Sequence, residues 1–130
     1  NNSLVLRIAF GNHSLLFTGD IEGEAENRLL RDDKKLGAQV LKVPHHGSKT
    51  SSTYYFVKAV SPQYAVFPVG YKNIFHFPNK RVVNRYEEIG CRILRTDLDG
   101  AITVASDGKK LKVKTYQGTM RPPASNTSSH

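Results

Sequence analysis

Two adjacent histidines, His45 and His46, are the residues of this sequence with the clearest chemical meaning. They follow a short apolar segment and precede a glycine and several hydroxyl residues. Asp20 lies upstream, directly after another short apolar segment. Neutral imidazole nitrogens and carboxylate oxygens are ligands for zinc and manganese. The pattern therefore predicts a divalent-metal site to which either histidine could contribute.

Donors for a phosphate group lie beside the same histidines. Ser48 and Lys49 follow them directly, and the hydroxyl-rich segment after them predicts a helix start. Helix N-termini and cationic side chains are common partners of phosphate. Metal and phosphate donors together indicate metal-dependent phosphoester chemistry, in which two cations hold the attacking and leaving oxygens. His76, in a later loop, is a further candidate for such a site.

The elements that must position these residues alternate between strand and helix. The predicted order is ββ-α-β-α-β-α-βββ, an α/β fold in which three candidate loops each follow a strand. Because the carboxyl ends of parallel strands meet at one edge, these loops should lie side by side. The predicted strands are 4–10, 14–18, 39–43 and 64–67, followed by a β-meander of 92–95, 101–105 and 110–115; the predicted helices are 22–33, 51 or 52 to 60, and 79–89.

Length and composition limit the class of protein. The 130 residues suffice for one domain, which we place at 1–116, with 117–130 predicted as a disordered tail. The formal net charge of +8 favours a polyanionic partner, with nucleic acid ahead of an anionic membrane surface. The single cysteine, Cys91, excludes an internal disulfide and a multi-thiolate zinc site. No apolar run reaches transmembrane length.

The number of metal ligands is too small for a two-metal centre. Such a centre needs about six or seven protein ligands, given the roughly fourfold coordination of each ion. The chain offers Asp20, His45, His46 and His76. We therefore expect the chain alone to lack metal-dependent hydrolytic activity and to be part of a longer protein.

Several motifs carry a family resemblance. They are the segments 2–6, 16–21 (LFTGDI), 41–48 (LKVPHHGS), 73–78, 86–90 and 95–102 (RTDLDGAI). Through them the chain resembles the C-terminal half of the metallo-β-lactamase-fold domain of the ComEC family, DNA-uptake channels of natural competence. The resemblance implies the second half of an αββα sandwich, with two zinc or manganese ions in the intact domain. The missing ligands would belong to an upstream half.

The resemblance also implies roles for individual residues. Asp20 would bridge the metals, His46 would be the last metal-ligating histidine, and His45 would assist catalysis together with His76. Asn79 stands where many relatives carry a histidine, which leaves the role of that histidine open. The residues implied to bind phosphate or DNA are Ser48, Lys49, Lys72, Lys80 and Arg81.

Three functions follow as hypotheses. The first is a metal-dependent nuclease that degrades the non-transported DNA strand, on the periplasmic side of an inner-membrane protein. The second is a DNA-binding or structural module of the channel with a degenerate metal site. The third, a hydrolase of a small phosphoester such as a lipid head group, is less favoured by the basic charge. The expected partners are DNA, the upstream half with its membrane channel, and a second copy of the isolated chain.

Overall fold

A computed structural model describes residues 4–32, 35–70, 78–116 and 118–120 of the chain. The elements of this part alternate as the sequence predicts, which confirms the α/β class. In order they are β1 (Leu6–Phe10), β2 (His13–Phe17), α1 (Gly23–Arg31), β3 (Val40–Lys42), a tight turn (Pro44–Gly47), α2 (Tyr54–Val60), β4 (Tyr64–Phe67), α3 (Lys80–Glu88), β5 (Arg92–Arg95), α4 (Thr96–Asp99), β6 (Ile102–Ser106), β7 (Leu111–Thr115) and β8 (Gly118–Met120).

The first five strands form one sheet in the order β1-β2-β3-β4-β5. β1 and β2 pair antiparallel across the two-residue turn Gly11-Asn12, as the sequence predicts. β2, β3, β4 and β5 run parallel, with α1, α2 and α3 in the connections between them. The carboxyl ends of β2, β3 and β4 therefore lie side by side, as predicted, and residues 71–77 of the third loop are outside the described residues.

Side chains alternate along each strand, and those of the central strands β3 and β4 pack on both faces of this sheet. Leu16, Leu41 and Ala65 are register neighbours that face the helices, where they join Phe56 of α2 and Tyr86 of α3 in one buried cluster. The alternate residues face the other way. Val40, Tyr64 and Leu94 pack there against Val113 of β7.

The last strands differ from the predicted meander. β5 is not part of it, because the α3 crossover returns the chain parallel to β4 and β5 therefore joins the first sheet. The short helix α4 then turns the chain away, and β6, β7 and β8 form a separate antiparallel sheet. β8 lies beyond the predicted domain boundary at residue 116, so this sheet continues past it. Residues 117 and 121–130 of the predicted tail are outside the described residues.

Two helix starts test the predicted caps. Asn79 caps α3 as expected, since its side-chain oxygen accepts from the backbone N–H of Arg81 at 2.9 Å. The prediction of Ser51 or Ser52 as the cap of α2 is wrong. Ser52 has a φ of 56° and belongs to the loop, so α2 begins only at Tyr54, after Thr53. The loop runs on because a carboxylate from α1 binds its last backbone N–H groups, as described below.

Candidate metal and phosphate site

Backbone hydrogen bonds join the three strand-to-helix loops. The N–H of His45 donates to the carbonyl of Gly19 at 2.9 Å, which links the second loop to the first. The N–H of Asn79 donates to the carbonyl of Gly47 at 2.8 Å, which links the third loop to the second. Since β2, β3 and β4 are parallel neighbours, the described parts of these loops meet at the carboxyl ends of the strands.

The histidine turn has an uncommon backbone. His45 and His46 have φ values of 51° and 54°, in the left-handed region that side chains other than glycine rarely adopt. Gly47 follows with a φ of 83°. Such conformations cost of order 1–3 kcal/mol each and persist where the surroundings impose them. The consequence is that consecutive imidazoles separate, with ring centroids 6.4 Å apart, and enter different environments.

His46 lies between the first and third loops. Its Nδ1 is 2.6 Å from the carbonyl oxygen of Pro68, and its Nε2 is 3.9 Å from Oδ1 of Asp20. A carbonyl oxygen only accepts, so Nδ1 must carry the proton that is shared. In the neutral ring, Nε2 then has the lone pair and faces the carboxylate. This is the tautomer and orientation of a histidine that binds a metal through Nε2.

His45 has a different set of neighbours. Its Nδ1 is 3.6 Å from Oε2 of Glu22 and 3.4 Å from the hydroxyl oxygen of Thr50. That hydroxyl donates to the same Glu22 carboxylate. A carboxylate and a hydroxyl that face Nδ1 hold the ring in the way typical of histidines that transfer protons. Sequence reasoning missed Glu22, because an acid at the start of a helix is usually explained by the helix dipole alone.

The donor set fits a zinc or manganese ion only in part. Asp20 and His46 supply one oxygen and one nitrogen, both suitable for these ions. Across the described ranges, no group of three or more His, Cys, Asp or Glu side chains is placed to hold a metal. Cys91 lies in the buried core just before β5, at the opposite end of the parallel strands from these loops, and burial raises the pKa of its thiol to about 12.

The predicted phosphate-binding residues separate into different places. Ser48 is buried, and its hydroxyl closes the loop by accepting from the N–H of Thr50 at 3.3 Å. Lys49 and Arg81 come together at one cavity, whereas Lys80 is exposed and does not line it. Lys72 and His76 lie outside the described residues.

The buried carboxylate of Glu26 in α1 stabilises the loop between the histidine turn and α2. It accepts from the backbone N–H groups of Ser52 at 2.6 Å and Thr53 at 2.8 Å, and so caps α2 from another helix. The Ser52 hydroxyl in turn bonds the Tyr86 hydroxyl at 2.8 Å. Burial raises the pKa of Glu26, with the two backbone hydrogen bonds acting in the opposite direction. Sequence reasoning missed this contact, because Glu26 and Ser52 are 26 positions apart.

The third loop is held at its start by β5 and α4. The hydroxyl of Thr96 accepts from the N–H of Val69 and donates to the Val69 carbonyl, both at 2.8 Å. Arg95 pairs with Asp97 through two hydrogen bonds of 3.0 and 2.6 Å. The sequence motif around Asp97 is therefore structural, and it positions the residue next to Pro68.

Comparison with known proteins places these features among competence proteins. No family model matches the chain. Competence protein ComA of Neisseria gonorrhoeae is 46% identical over 101 residues, which are 77% of this chain and 15% of that protein. ComE operon protein 3 of Bacillus subtilis is 38% identical over 102 residues, or 78% of this chain and 13% of that protein. Recombination protein 2 of Haemophilus influenzae is 30% identical over 122 residues, or 94% of this chain and 15% of that protein.

These proteins are homologues of the chain, so the predicted relationship to competence proteins is confirmed. The chain spans about one seventh of the length of each of them. Within the described residues, no helix has the length and apolar character needed to cross a membrane.

Proposed function

We propose that the chain is the second half of a metallo-β-lactamase-fold domain that hydrolyses phosphodiester bonds of DNA during natural competence. The observation that carries the proposal is the His46 imidazole, which Pro68 orients toward Asp20 at the shared edge of three parallel strands. The names of the homologues support a role in competence. The strand degraded would be the one that is not transported.

In this proposal, Asp20 and His46 hold the metal from one side. A bound zinc or manganese ion would supply Lewis-acid stabilisation of the phosphoryl oxygens and lower the pKa of a coordinated water. The Pro68 carbonyl keeps the His46 ring in its ligating tautomer. His45, beside Glu22 and Thr50, gives a proton to the departing oxygen. His76 has an assisting role in the same proposal.

The remaining ligands would come from an upstream half of the domain. An apolar surface of the first sheet supports this arrangement. Leu6, Ile8 and Phe10 on one face of β1 are each about half exposed, at 46%, 46% and 58%. Leu15, the register partner of Ile8, lines an apolar cavity of about 390 Å³ between the two sheets. An upstream half that packed there would bury this surface and bring its ligands to the metal.

DNA is the proposed substrate because of charge and homology. The net charge of +8 favours a polyanion, and phosphate contacts supply most of non-specific DNA affinity. In the parent protein the domain would stand on the periplasmic side of the inner membrane, beside the channel. The isolated chain, with its uncovered apolar face, is expected to associate with itself.

The test joins the chain to the segment that precedes it in the parent protein. The purified protein should cleave DNA with added zinc or manganese, and Asp20→Asn should abolish both cleavage and the second bound metal. Asp32→Asn, an exposed change outside the site, is the matched control. The chain alone should be inactive. Robust metal-stimulated cleavage by the chain alone, lost with Asp20→Asn, would overturn the proposed division of ligands.

A second candidate is a DNA-binding or structural module with a degenerate metal site. The observation in its favour is Asn79, which replaces a histidine of the family pattern but keeps the cap of α3. This candidate predicts that the joined protein binds DNA and no metal. Metal analysis of the joined protein, beside an Asn79→His variant, distinguishes the two functions.

A further inference from the structure

A cationic cavity opens on the side of the histidine loop next to α3. It has a volume of about 350 Å³ and is lined by Lys49, Asn79, Arg81, Val82 and Arg85. We call this the basic pocket. Its wall combines the end of the histidine loop with the first two turns of the helix. Three of its five lining residues are cations, and none is acidic or aromatic.

The charge of α3 is unusual for a helix start. Its first turn contains Lys80 and Arg81 and no acid, although the N-terminus of a helix favours negative charge. In the same chain, α1 follows the usual rule with Glu24 and Glu26 in its first turn. Cations at a helix N-terminus are unfavourable by themselves. A bound anion would reverse this, because it interacts favourably with both the side chains and the helix dipole.

The cations of the basic pocket are placed to receive such an anion. Arg85 is held by a hydrogen bond from Nη1 to the Ser52 carbonyl at 2.8 Å. The Arg81 side chain is exposed. The backbone N–H of Arg81 donates to the side chain of Asn79, and this cap fixes the first turn of α3. Among the ion pairs of the described residues, none involves Lys49 or Arg81. The acids of α3, Glu87 and Glu88, lie at its opposite end.

We propose that the basic pocket binds a backbone phosphate of the DNA strand, next to the phosphate that is hydrolysed. This inference rests on the proposed function and adds a second binding position to it. The Gly47 carbonyl accepts from Asn79 at 2.8 Å, so one residue joins the pocket wall to the histidine turn. A strand that enters the metal side is thereby held at a neighbouring phosphate by Lys49, Arg81 and Arg85.

The lining also determines what is recognised. The cavity is large enough for a phosphate with its attached sugar, since ligand sites begin at about 300 Å³. No aromatic ring in the lining can stack a base, so binding should not depend on base sequence. An anionic lipid head group carries the same phosphate chemistry, and we choose DNA because it is the substrate of the proposed function.

The experiment measures DNA binding by the chain itself in EDTA, so that the metal side contributes nothing. The probe is a short fluorescein-labelled oligothymidylate, followed by anisotropy at several salt concentrations. The double variant Lys49→Gln/Arg81→Gln should weaken binding about tenfold and reduce the salt slope by about 0.7, the value for one phosphate contact on a single strand. The control Lys112→Gln/Lys114→Gln removes two exposed lysines from β7 and should change affinity less than about threefold.

Four outcomes would overturn the proposal, three of them in the oligonucleotide measurement. They are equal losses for both double variants, an undiminished affinity in Lys49→Gln/Arg81→Gln, and no binding by the unchanged chain. A preference for phosphatidylglycerol vesicles over the oligonucleotide would also overturn it. Circular dichroism establishes that each variant is folded. As a second measurement, NMR titration of the unchanged chain with thymidine 3′,5′-bisphosphate should shift the backbone amides of Asn79 and Arg81. Because no metal or cleavage is involved, failure here is distinguishable from failure of the hydrolase proposal.

Discussion

The Nδ1–H of His46 donates to the carbonyl oxygen of Pro68 across 2.6 Å, although the two residues are 22 positions apart. The bond joins the loop after β3 to the loop after β4. It sets which ring nitrogen faces Asp20 of the loop after β2. The orientation of one imidazole thus depends on three adjacent strands, and this dependence underlies the first two predictions.

His46→Ala and His45→Ala should have different effects in the protein that contains both halves of the domain. His46→Ala removes a proposed ligand and should reduce bound metal from two ions toward one, with cleavage at least about a hundredfold slower. His45→Ala should keep the metal and slow cleavage by about a hundredfold or more through loss of a proton donor. Metal analysis beside cleavage rates measures both. Full metal content in His46→Ala would mean that the ligand is assigned to the wrong histidine.

Thr96→Val should weaken metal binding from a distance. The Thr96 hydroxyl satisfies both the N–H and the carbonyl of Val69, the neighbour of Pro68. Valine preserves the shape but leaves both backbone groups unpaired, at a cost of about 1–3 kcal/mol in the free energy of unfolding. The Pro68 carbonyl should then hold the His46 ring less firmly, and metal affinity should fall about tenfold.

Thr96→Ser, which retains the hydroxyl, should restore metal affinity in the same protein. Competition with a chelating dye gives the affinities, and urea unfolding gives the stabilities. A Thr96→Val protein that loses stability but keeps its metal affinity would show that Thr96 only supports the fold.

The adjacency of the site loops was predictable, because it depends on local patterns. Short apolar runs that end in Gly19-Asp20 and Pro44-His45 predict parallel strands with polar carboxyl ends, and the pairing of β2 with β3 agrees. Only the bounds shifted, by one or two residues at the ends of strands. Asn79 was predictable as a cap because capping needs one side chain and the next turn.

The buried contacts between distant residues were not predictable. The carboxylate of Glu26 caps a helix that begins 28 residues later. Leu29 and Leu30 place Glu26 on the apolar face of α1, but this pattern does not identify the backbone groups that it binds. The placement of β5 in the first sheet depends on the α3 crossover, whereas its sequence equally suits a meander. The left-handed turn at His45 and His46 also has no local signal, since such φ values are imposed by the packing around them.

Gly47→Ala should destabilise the fold and displace the histidines. A Cβ at this residue would lie 2.6 Å from Cβ of Pro78 and 2.8 Å from the ring of Phe67, and φ is +83°. Overpacking and backbone strain together should cost about 2–4 kcal/mol. Gly37→Ala is the control, because a Cβ there meets nothing within 4 Å, and it should change stability by less than about 1 kcal/mol. Urea unfolding of both variants gives the comparison; similar losses in the two would contradict the role of Gly47.

Glu26 should make stability fall as pH rises above its ordinary pKa of 4.5. Burial raises the pKa of this carboxyl in the folded state, so between the two pKa values the folded chain retains a proton that the unfolded chain has lost. The contribution is complete below pH 4.5 and is lost as pH rises through the folded-state pKa, with a slope of up to about 1.4 kcal/mol per pH unit. Asp97 has the opposite effect on stability. The Arg95 guanidinium lowers the pKa of its carboxyl, so its contribution is lost as pH falls below its ordinary pKa of 3.8.

Glu26→Gln should remove this slope, because the amide does not titrate, while Glu24→Gln should leave it unchanged. Glu24 is an exposed acid of the same helix turn, with 90% of its side chain accessible. Chemical denaturation across a pH series measures the slopes. A slope that persists in Glu26→Gln would assign it to another group.

Asn79→Asp should distinguish the role of residue 79 as a helix cap from its role in the basic pocket. Aspartate caps a helix about as well as asparagine, and its charge interacts favourably with the N-terminus of α3, so stability should be kept or rise by up to about 1 kcal/mol. The same charge faces Lys49, Arg81 and Arg85 across the cavity and would compete with a bound phosphate. DNA affinity in EDTA should therefore fall about tenfold while the unfolding midpoint does not decrease. Asn79→Ser keeps a neutral cap and should retain both the DNA affinity and the stability. An Asn79→Asp protein that binds DNA as tightly as the unchanged chain would contradict phosphate binding in the pocket.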